Sequence, residues 1–131
     1  MNRAWKYCRQ ASPDEMLSGL AVQNRLLERY AAAHEFSVVG EIKVVETGTP
    51  TDRESIRELL NEAAHGAYDI LLISGLDRLS RNVWDALTIV SKLFACGIRI
   101  LDASTNEEIS ADALDQLSLA LHQSLKISLS E

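Results

Sequence analysis

Ser74-Gly75-Leu76-Asp77-Arg78-Leu79-Ser80-Arg81-Asn82 decides how the chain folds, because a short apolar run ends just before it and an amphipathic helix begins after it. Residues 69–73 have the pattern of a central strand covered on both faces, and from Val83 onward apolar residues recur at helical spacing. Ligands of parallel sheets bind outside the carboxyl ends of the strands. This stretch therefore places Arg78 and Arg81 where both guanidinium groups can converge on one anion.

A phosphate is the anion that these two arginines fit best, since guanidinium forks match its geometry and keep their charge at all relevant pH values. The plainer explanation is a helix start with solvated charges, in which Asp77 pairs with either arginine. For this motif taken alone, the plainer explanation is the preferred one. A second stretch of sequence changes that balance.

The second stretch lies near the N-terminus, where residues 4–9 form an expected first strand that runs into a turn and helix start at residues 10–15. If Tyr7 and Arg9 lie on one face of that strand, Arg9 also arrives at a carboxyl end. Three arginines then crowd one edge of the sheet, and a bound anion would neutralise their mutual repulsion. The two stretches together predict an anion site at this edge.

The order of apolar patterns along the chain predicts an α/β fold, with a parallel-rich sheet of about four to five strands and helices on both faces. Gly40, inside the second strand, marks either a β-bulge or a weak point, and we expect the weak point. We expect strands near residues 3–9, 37–45, 69–73 and 98–102, and helices near residues 14–34, 53–65, 82–95 and 111–129.

Four motifs, which follow one another along residues 4 to about 102, resemble the catalytic domain of the serine recombinases, the resolvase and invertase family. That family opens with Tyr-x-Arg-Val-Ser-Thr, which Tyr7-Cys8-Arg9-Gln10-Ala11-Ser12 matches in part, and continues with a helix that carries a glutamine, matched by Gln23. Next comes an acidic loop ending in an arginine, to which Glu46-Thr47-Gly48-Thr49-Pro50-Thr51-Asp52-Arg53 is similar. The last motif, Leu-Asp-Arg-Leu-Ser-Arg, is reproduced in full by residues 76–81.

The resemblance implies phosphoryl transfer on DNA, in which a serine attacks a backbone phosphate, displaces the 3′-oxygen and stays joined to the 5′-phosphate until rejoining. It implies no cofactor and no metal ion, because arginines stabilise the charge that develops on the phosphoryl oxygens. The residues that match the family's site are Ser12 as the nearest available nucleophile, the arginines Arg9, Arg53, Arg78 and Arg81, and Asp77 and Gln23 as orienting groups.

At the position of the family's nucleophilic serine the chain has Ala11, and Ser12 is displaced from it by one residue. Either Ser12 acts through a changed turn, or the domain is catalytically inactive. Strand alternation turns Ser12 to the opposite face, whereas Pro13 places it beside a turn where alternation need not hold. Two further departures are Val44 in place of a family acid and a last helix without arginine.

The rival hypothesis is therefore an inactive recombinase-like module that acts through protein contacts. A third hypothesis is a flavodoxin-like domain that binds a small phosphate ligand. That class uses a glycine-rich phosphate loop, whereas Gly48 and Gly75 stand alone in this sequence.

Gln23 falls on the apolar side of its helix, among Leu20, Leu26, Leu27 and Tyr30. A buried amide without partners costs about 1–3 kcal/mol, so this side chain must be bound. It is either a core glutamine held by backbone groups or an amide that orients the site, and the pattern favours neither.

The charge balance limits how the chain meets DNA. With 131 residues, a net charge of −6 and 13 Lys and Arg against 19 Asp and Glu, we expect one acidic catalytic-type domain over residues 1–131. DNA contact then relies on the local basic edge or on a missing or separate DNA-binding domain, or it does not occur. No helix-turn-helix or zinc pattern follows residue 111, so no separate DNA-binding domain is expected in this chain.

Cys8 and Cys96 are expected to be reduced, buried thiols of a cytoplasmic protein, because the sequence has neither a signal peptide nor an apolar run of 18 residues. No membrane contact is expected. His34, His65 and His122 have no ligand spacing among them, so we expect them at the surface or at helix ends and expect no metal site.

The last helix, expected within residues 111–131, carries more apolar residues than a terminal helix needs to close a small domain. A stripe of leucines and a second set beside it form this surface: Leu114, Leu117, Leu121, Leu125 and Leu129, then Leu119, Ala120 and Ile127. Either the helix only closes the domain or the surplus is a subunit contact, as the family's dimers imply. We expect a homodimer or a higher oligomer.

Overall fold

A computed structural model describes residues 2–10, 19–45, 51–112, 114–116, 118–120 and 123, with the backbone alone at residues 51–53. The strands are β1 Arg3–Gln10, β2 Ser37–Val45, β3 Ile70–Ile73, β4 Arg99–Asp102 and β5 Glu107–Ile109. The helices are α1 Leu20–Ala33, α2 Thr51–Ala64 and α3 Val83–Ala95, with a 3₁₀ helix at Leu76–Arg78 and further helical residues at 111, 112, 114–116, 118–120 and 123.

The five strands form one sheet in the order β2-β1-β3-β4-β5, parallel throughout except between β4 and β5. β3 is buried along its whole length because helices cover both faces of the sheet. Its residues Ile70 and Leu72 pack with Leu27 of α1, while Leu71 and Ile73 pack with residues of α2 and α3 on the other face. The expected α/β fold with a parallel-rich sheet is confirmed.

The fifth strand, β5, is an element that sequence patterning did not locate. Three residues are too few to show an alternating pattern, and its composition is acidic. The strand follows a turn in which Asn106 has φ 56°, and Arg99 Nη2 of β4 pairs with Glu108 Oε1 at 2.8 Å. A tight turn and an ion pair across the two strands hold β5, and its last residue, Ile109, packs against the core.

Helix α1 begins at Leu20 rather than near residue 14, because Gly19 is extended, with φ −70° and ψ 175°. The remainder of the expected helix start, residues 14–18, lies outside the described residues. The Leu20 N–H donates to Oε1 of Gln10 at 3.1 Å, which supplies the cap that a glycine side chain lacks. Helix α3 begins one residue later than expected, since Asn82 is its N-cap.

Gly40 lies at a β-bulge, so the expectation of a plain weak point is wrong. The register of β1 and β2 shifts there, since Ala4 is opposite Val38 and Trp5 is opposite Gly40, which leaves Val39 as the extra residue. A Cβ on Gly40 would lie 2.2–2.5 Å from three atoms of the Trp5 ring. The residue is glycine because the indole ring occupies the space of a side chain.

The two cysteines lie in different environments. Cys8 is fully buried in β1, and burial raises the pKa of its thiol to about 11. Cys96 is exposed, contrary to expectation, because it follows the last residue of α3 at the point where the chain turns through Gly97 with φ 78°. An apolar helix end did not imply a buried thiol here, since the residue belongs to the cap.

The surface histidines follow expectation where they are described. His34 and His65 are exposed, each just after a helix, with Nδ1 within 2.9 Å of a backbone carbonyl one turn earlier. His122 lies outside the described residues. Within the described ranges, no helix is long and apolar enough to cross a membrane.

A thiol reagent should label Cys96 of the native protein rapidly and Cys8 only after unfolding, because Cys96 is exposed and Cys8 is buried. The thiolate is the reactive form, and Cys8 at neutral pH combines a raised pKa with complete burial. Timed labelling with a chromogenic disulfide reagent measures this. Cys96→Ser should abolish the rapid phase and Cys8→Ser should leave it unchanged, whereas rapid labelling of both thiols in the native protein would contradict the fold.

Candidate active site

Arg9 and Arg78 hold each other's backbone at the carboxyl end of β1. The Arg9 side chain donates from Nε to the Arg78 carbonyl at 3.0 Å and from Nη2 to the Asp77 carbonyl. In return, Arg78 Nη1 donates to the Arg9 carbonyl at 3.1 Å. The end of β1 and the 3₁₀ helix are thus joined by two arginine side chains, each of which donates to the backbone of the other's segment.

The 3₁₀ helix is brought to β1 by a sharp turn after β3. Gly75 has φ 118°, a backbone conformation that residues with a Cβ rarely adopt, and a Cβ there would also lie 2.5 Å from Asp77 Oδ1. Leu79 is buried in the core just beyond the 3₁₀ helix and anchors its far end. The turn therefore presents the carbonyls of Asp77 and Arg78 to the Arg9 side chain.

Gln23 binds the Arg9 peptide where β1 extends past its neighbour. β1 pairs with β3 through Ala4–Lys6 and continues to Gln10. The Asp69 N–H donates to the Arg3 carbonyl. The odd-numbered residues of β1 therefore direct their backbone N–H and C=O groups toward β3. At Arg9, beyond that pairing, the Gln23 side chain takes the strand's place.

Both ends of the Gln23 amide are used in this contact. Oε1 accepts the Arg9 N–H at 3.0 Å, and Nε2 donates to the Arg9 carbonyl at 2.7 Å. Gln23 is 3% exposed, so its amide is held within the core. The two explanations left open by the sequence therefore describe one contact, because the backbone that binds this glutamine is that of a candidate site residue.

Arg9 and Arg81 line one cleft of about 800 Å³ between the end of β1 and helices α2 and α3. Tyr7 lines it too, so Tyr7 and Arg9 share a face as expected. The other lining side chains are Ile56, Leu60, Leu79, Ser80, Asn82, Trp84, Asp85, Thr88, Ile89 and Lys92. The lining contains three cations, Arg9, Arg81 and Lys92, and one carboxylate, Asp85, a balance of charge that suits an anionic ligand.

The remaining predicted site residues are placed only in part. Arg53 is the third residue of α2, and its side chain lies outside the description, as do Ala11 and Ser12 altogether. The described contact of Asp77 with Arg9 is made by the Asp77 backbone carbonyl. No group of three or more His, Cys, Asp or Glu side chains suited to a metal ion occurs among the described residues.

Sequence reasoning missed two polar residues of β1 beside the site, Lys6 and Gln10. Both are buried, at 3% and 9% exposed, and both bind α1. The available signal was their alternation in a strand whose other residues are mainly apolar, because a charged or amide side chain on a covered face must have partners.

Comparison with known proteins gives a consistent result. The sequence model of one protein family, the resolvase N-terminal domain, matches residues 4–127 of this chain. A search of curated protein sequences found no match. The N-terminal catalytic domain of TP901-1 integrase aligns with a TM-score of 0.80 at 23% identity, over 98% of this chain and 99% of that chain. The C-terminal catalytic domain of ISC1926 TnpA, an IS607-like serine recombinase, aligns with a TM-score of 0.68 at 28% identity, over 91% and 78%. A resolvase family site-specific recombinase from Streptococcus pneumoniae aligns with a TM-score of 0.80 at 15% identity, over 99% and 94%.

The fold and the cleft define a class, namely an α/β domain with arginines at the carboxyl ends of its parallel strands. The family match covers nearly the whole chain. The chain belongs to the resolvase N-terminal domain family, the catalytic domains of the serine site-specific recombinases. DNA is the substrate of that family, and its members work as oligomers.

Replacing Gln23 by methionine should loosen the site locally and destabilise the domain. Methionine has a similar length but leaves the Arg9 N–H without its Gln23 acceptor, so the free energy of unfolding should fall by about 1–3 kcal/mol. Urea unfolding measures this loss. Arg29→Met, at an exposed position of α1, is the matched control and should stay within about 0.5 kcal/mol of the parent. A loss no larger than that of the control would contradict the contact.

Proposed function

We propose that Arg9, Arg78 and Arg81 bind a backbone phosphate of DNA, as the substrate site of a serine recombinase catalytic domain. The observation that carries the proposal is the reciprocal bonding of Arg9 and Arg78, beside a cleft that Arg9 and Arg81 line. Ligands of parallel sheets bind at this edge, and guanidinium groups match phosphate oxygens in geometry and charge.

The backbone supports this role by fixing a guanidinium group before substrate arrives. The carbonyls of Asp77 and Arg78 accept from two nitrogens of Arg9, which sets the plane of that group. Donors fixed in advance stabilise charge that develops on phosphoryl oxygens without reorganising during the reaction. We assign the same role to Arg53 from the family motif, with the Asp77 carboxylate and Gln23 as orienting groups.

In the reaction that we propose, a serine hydroxyl attacks the phosphorus of the bound phosphodiester. The hydroxyl loses its proton as the bond from its oxygen to phosphorus forms. The bond between phosphorus and the deoxyribose 3′-oxygen breaks, the 3′-oxygen takes up a proton in turn, and the serine remains joined to the 5′-phosphate. Rejoining is the same step in reverse with a 3′-hydroxyl as nucleophile, so no external energy source is needed. Ser12 is the candidate for this serine, on sequence grounds.

The second candidate function is a catalytically inactive recombinase-like module that acts within an oligomer. Ala11 favours it, because an alanine at the family's serine position cannot attack phosphorus. Val44 favours it as well, since it stands where the family has an acid and is buried in the core of this domain. Under this alternative the chain acts through protein contacts, and no covalent step on DNA follows.

The partners follow from the same proposal. The chain is acidic, so we propose that a separate DNA-binding domain supplies most of the affinity and that this site contributes local phosphate contacts. We also propose that residues 1–131 form one catalytic-type domain and that the last helix joins two copies, with Leu119 as a 59% exposed apolar residue on it. A DNA substrate favours a cytoplasmic location.

Arg81→Gln should weaken binding to a short DNA duplex at least threefold and lower the salt dependence of binding by about one phosphate contact. Fluorescence anisotropy with a labelled duplex at several salt concentrations measures both quantities. Arg29→Gln removes the same charge from an exposed position on α1, outside the cleft lining. Equal losses in the two variants would show that net charge, rather than this site, governs binding.

A covalent test separates the two candidate functions. We expect cleavage to be absent or slow in this chain, and Ala11→Ser alone not to restore it fully. Each missing group in such a site lowers the rate by about 10²–10³, so the loss of an acid at Val44 and of arginines in the last helix exceeds what one hydroxyl returns. The measurement is trapping of a protein–DNA adduct from nicked duplexes with a randomised centre, resolved under denaturing conditions.

Ser12→Ala is the control in that experiment. A robust adduct in the parent that disappears in Ser12→Ala would overturn the inactive hypothesis and identify Ser12 as the nucleophile. An adduct at parental level in Ala11→Ser and Ser12→Ala alike would assign the bond to a different residue.

A further inference from the structure

Lys6 is a buried lysine in the middle of β1 that the proposed reaction does not use. Its side chain is 4% exposed, yet Nζ has three acceptors around it. It donates to Asn24 Oδ1 at 2.6 Å, pairs with Glu41 Oε2 at 3.0 Å and bonds to Glu28 Oε1. An ammonium group has three N–H donors, so this arrangement matches its full capacity.

The lysine stays charged in this position. Burial alone lowers the pKa of Lys6, but its hydrogen bonds to Glu28 and Glu41 outweigh that effect and raise it. The hydrogen bond from Lys6 holds the pKa of Glu41 below its usual range. Both carboxylates are about half exposed, so solvent stabilises the outer side of the network while the lysine provides its buried centre.

The three acceptors come from two elements on either side of the lysine. Asn24 and Glu28 are four residues apart on α1 and so lie on one face of it, while Glu41 is the residue of β2 directly opposite Lys6. The ammonium group therefore ties α1 to the sheet. A second tie lies at the start of the helix, where Gln10 accepts the Leu20 N–H.

Gln23 lies between these two ties. It directly precedes Asn24 and follows Leu20 by three residues, so the rotation of α1 that aims the Gln23 amide at Arg9 is fixed on both sides. We propose that Lys6 is a positioning residue for the arginine site, holding α1 through Asn24 and Glu28 so that Gln23 keeps the Arg9 peptide in place. The functional part of this inference rests on DNA binding at that site.

Glu28→Met tests the proposal because electrostatics and positioning predict opposite results. Removing a carboxylate from an acidic protein should strengthen its attraction for DNA, whereas loss of a tie on α1 should weaken binding. We expect Glu28→Met to bind a short duplex three- to tenfold more weakly than the parent. Glu107→Met removes the same charge from an exposed position on β5 and should bind as well as the parent or more tightly.

A double variant shows whether the effect passes through Gln23. In the Gln23→Met background, Glu28→Met should cause little further loss of DNA affinity, because the contact that it positions is already gone. If Lys6 contributed to stability alone, the losses of DNA affinity in the two single variants would multiply in the double variant. Multiplying losses, or Glu28→Met binding as tightly as Glu107→Met, would overturn the proposal.

A measurement without DNA keeps this inference separate from the proposed function. Hydrogen exchange of the Arg9 amide, followed by NMR, should accelerate at least tenfold in Glu28→Met, while the Tyr7 amide in the same strand should change less than twofold. Equal changes at both amides would contradict a local role for Lys6. If the parent protein bound DNA no better than Arg81→Gln, the proposed function would fail, and the exchange result would still decide whether Lys6 positions Arg9.

Discussion

The described site depends on how the Arg9 peptide is held beyond the end of β3. A strand that extends past its neighbour leaves N–H and C=O groups that must find other partners, and in this domain they are supplied by side chains. Gln23 binds both groups of Arg9, and Arg78 binds the carbonyl a second time. Because these side chains come from α1 and from the 3₁₀ helix, the strand end joins two separate parts of the fold.

This constraint explains why polar residues are buried on an otherwise apolar face. Lys6, Gln10 and Gln23 are each less than a tenth exposed, and each bonds across the contact between β1 and α1. Apolar packing by Leu27 holds the helix against the sheet but does not fix its rotation, since such contacts have little direction. Directional hydrogen bonds supply that rotation.

The sequence was sufficient to predict four of the five strands and the meeting of Arg9 with the segment of Arg78, since those depend on local patterns. The observed bounds of β2 and β3 fall within one residue of those expected from the sequence, and Arg9 lies one residue before the end of β1. What escaped prediction depends on distant partners. Gly40 is at a bulge because Trp5 lies over it, and the partner of Gln23 follows from where β3 ends. Neither relation leaves a periodic signal.

The mutual bonding of Arg9 and Arg78 also bears on how such a domain evolves. Each guanidinium group completes the backbone hydrogen bonding of the other's segment, so replacing either would unsettle folding whether or not DNA is ever cut. Selection for a folded protein alone is thus enough to preserve both arginines after a nucleophile is lost. In a lineage that has lost catalytic activity, these two arginines would be among the last residues to be substituted, and the nucleophilic serine would be among the first.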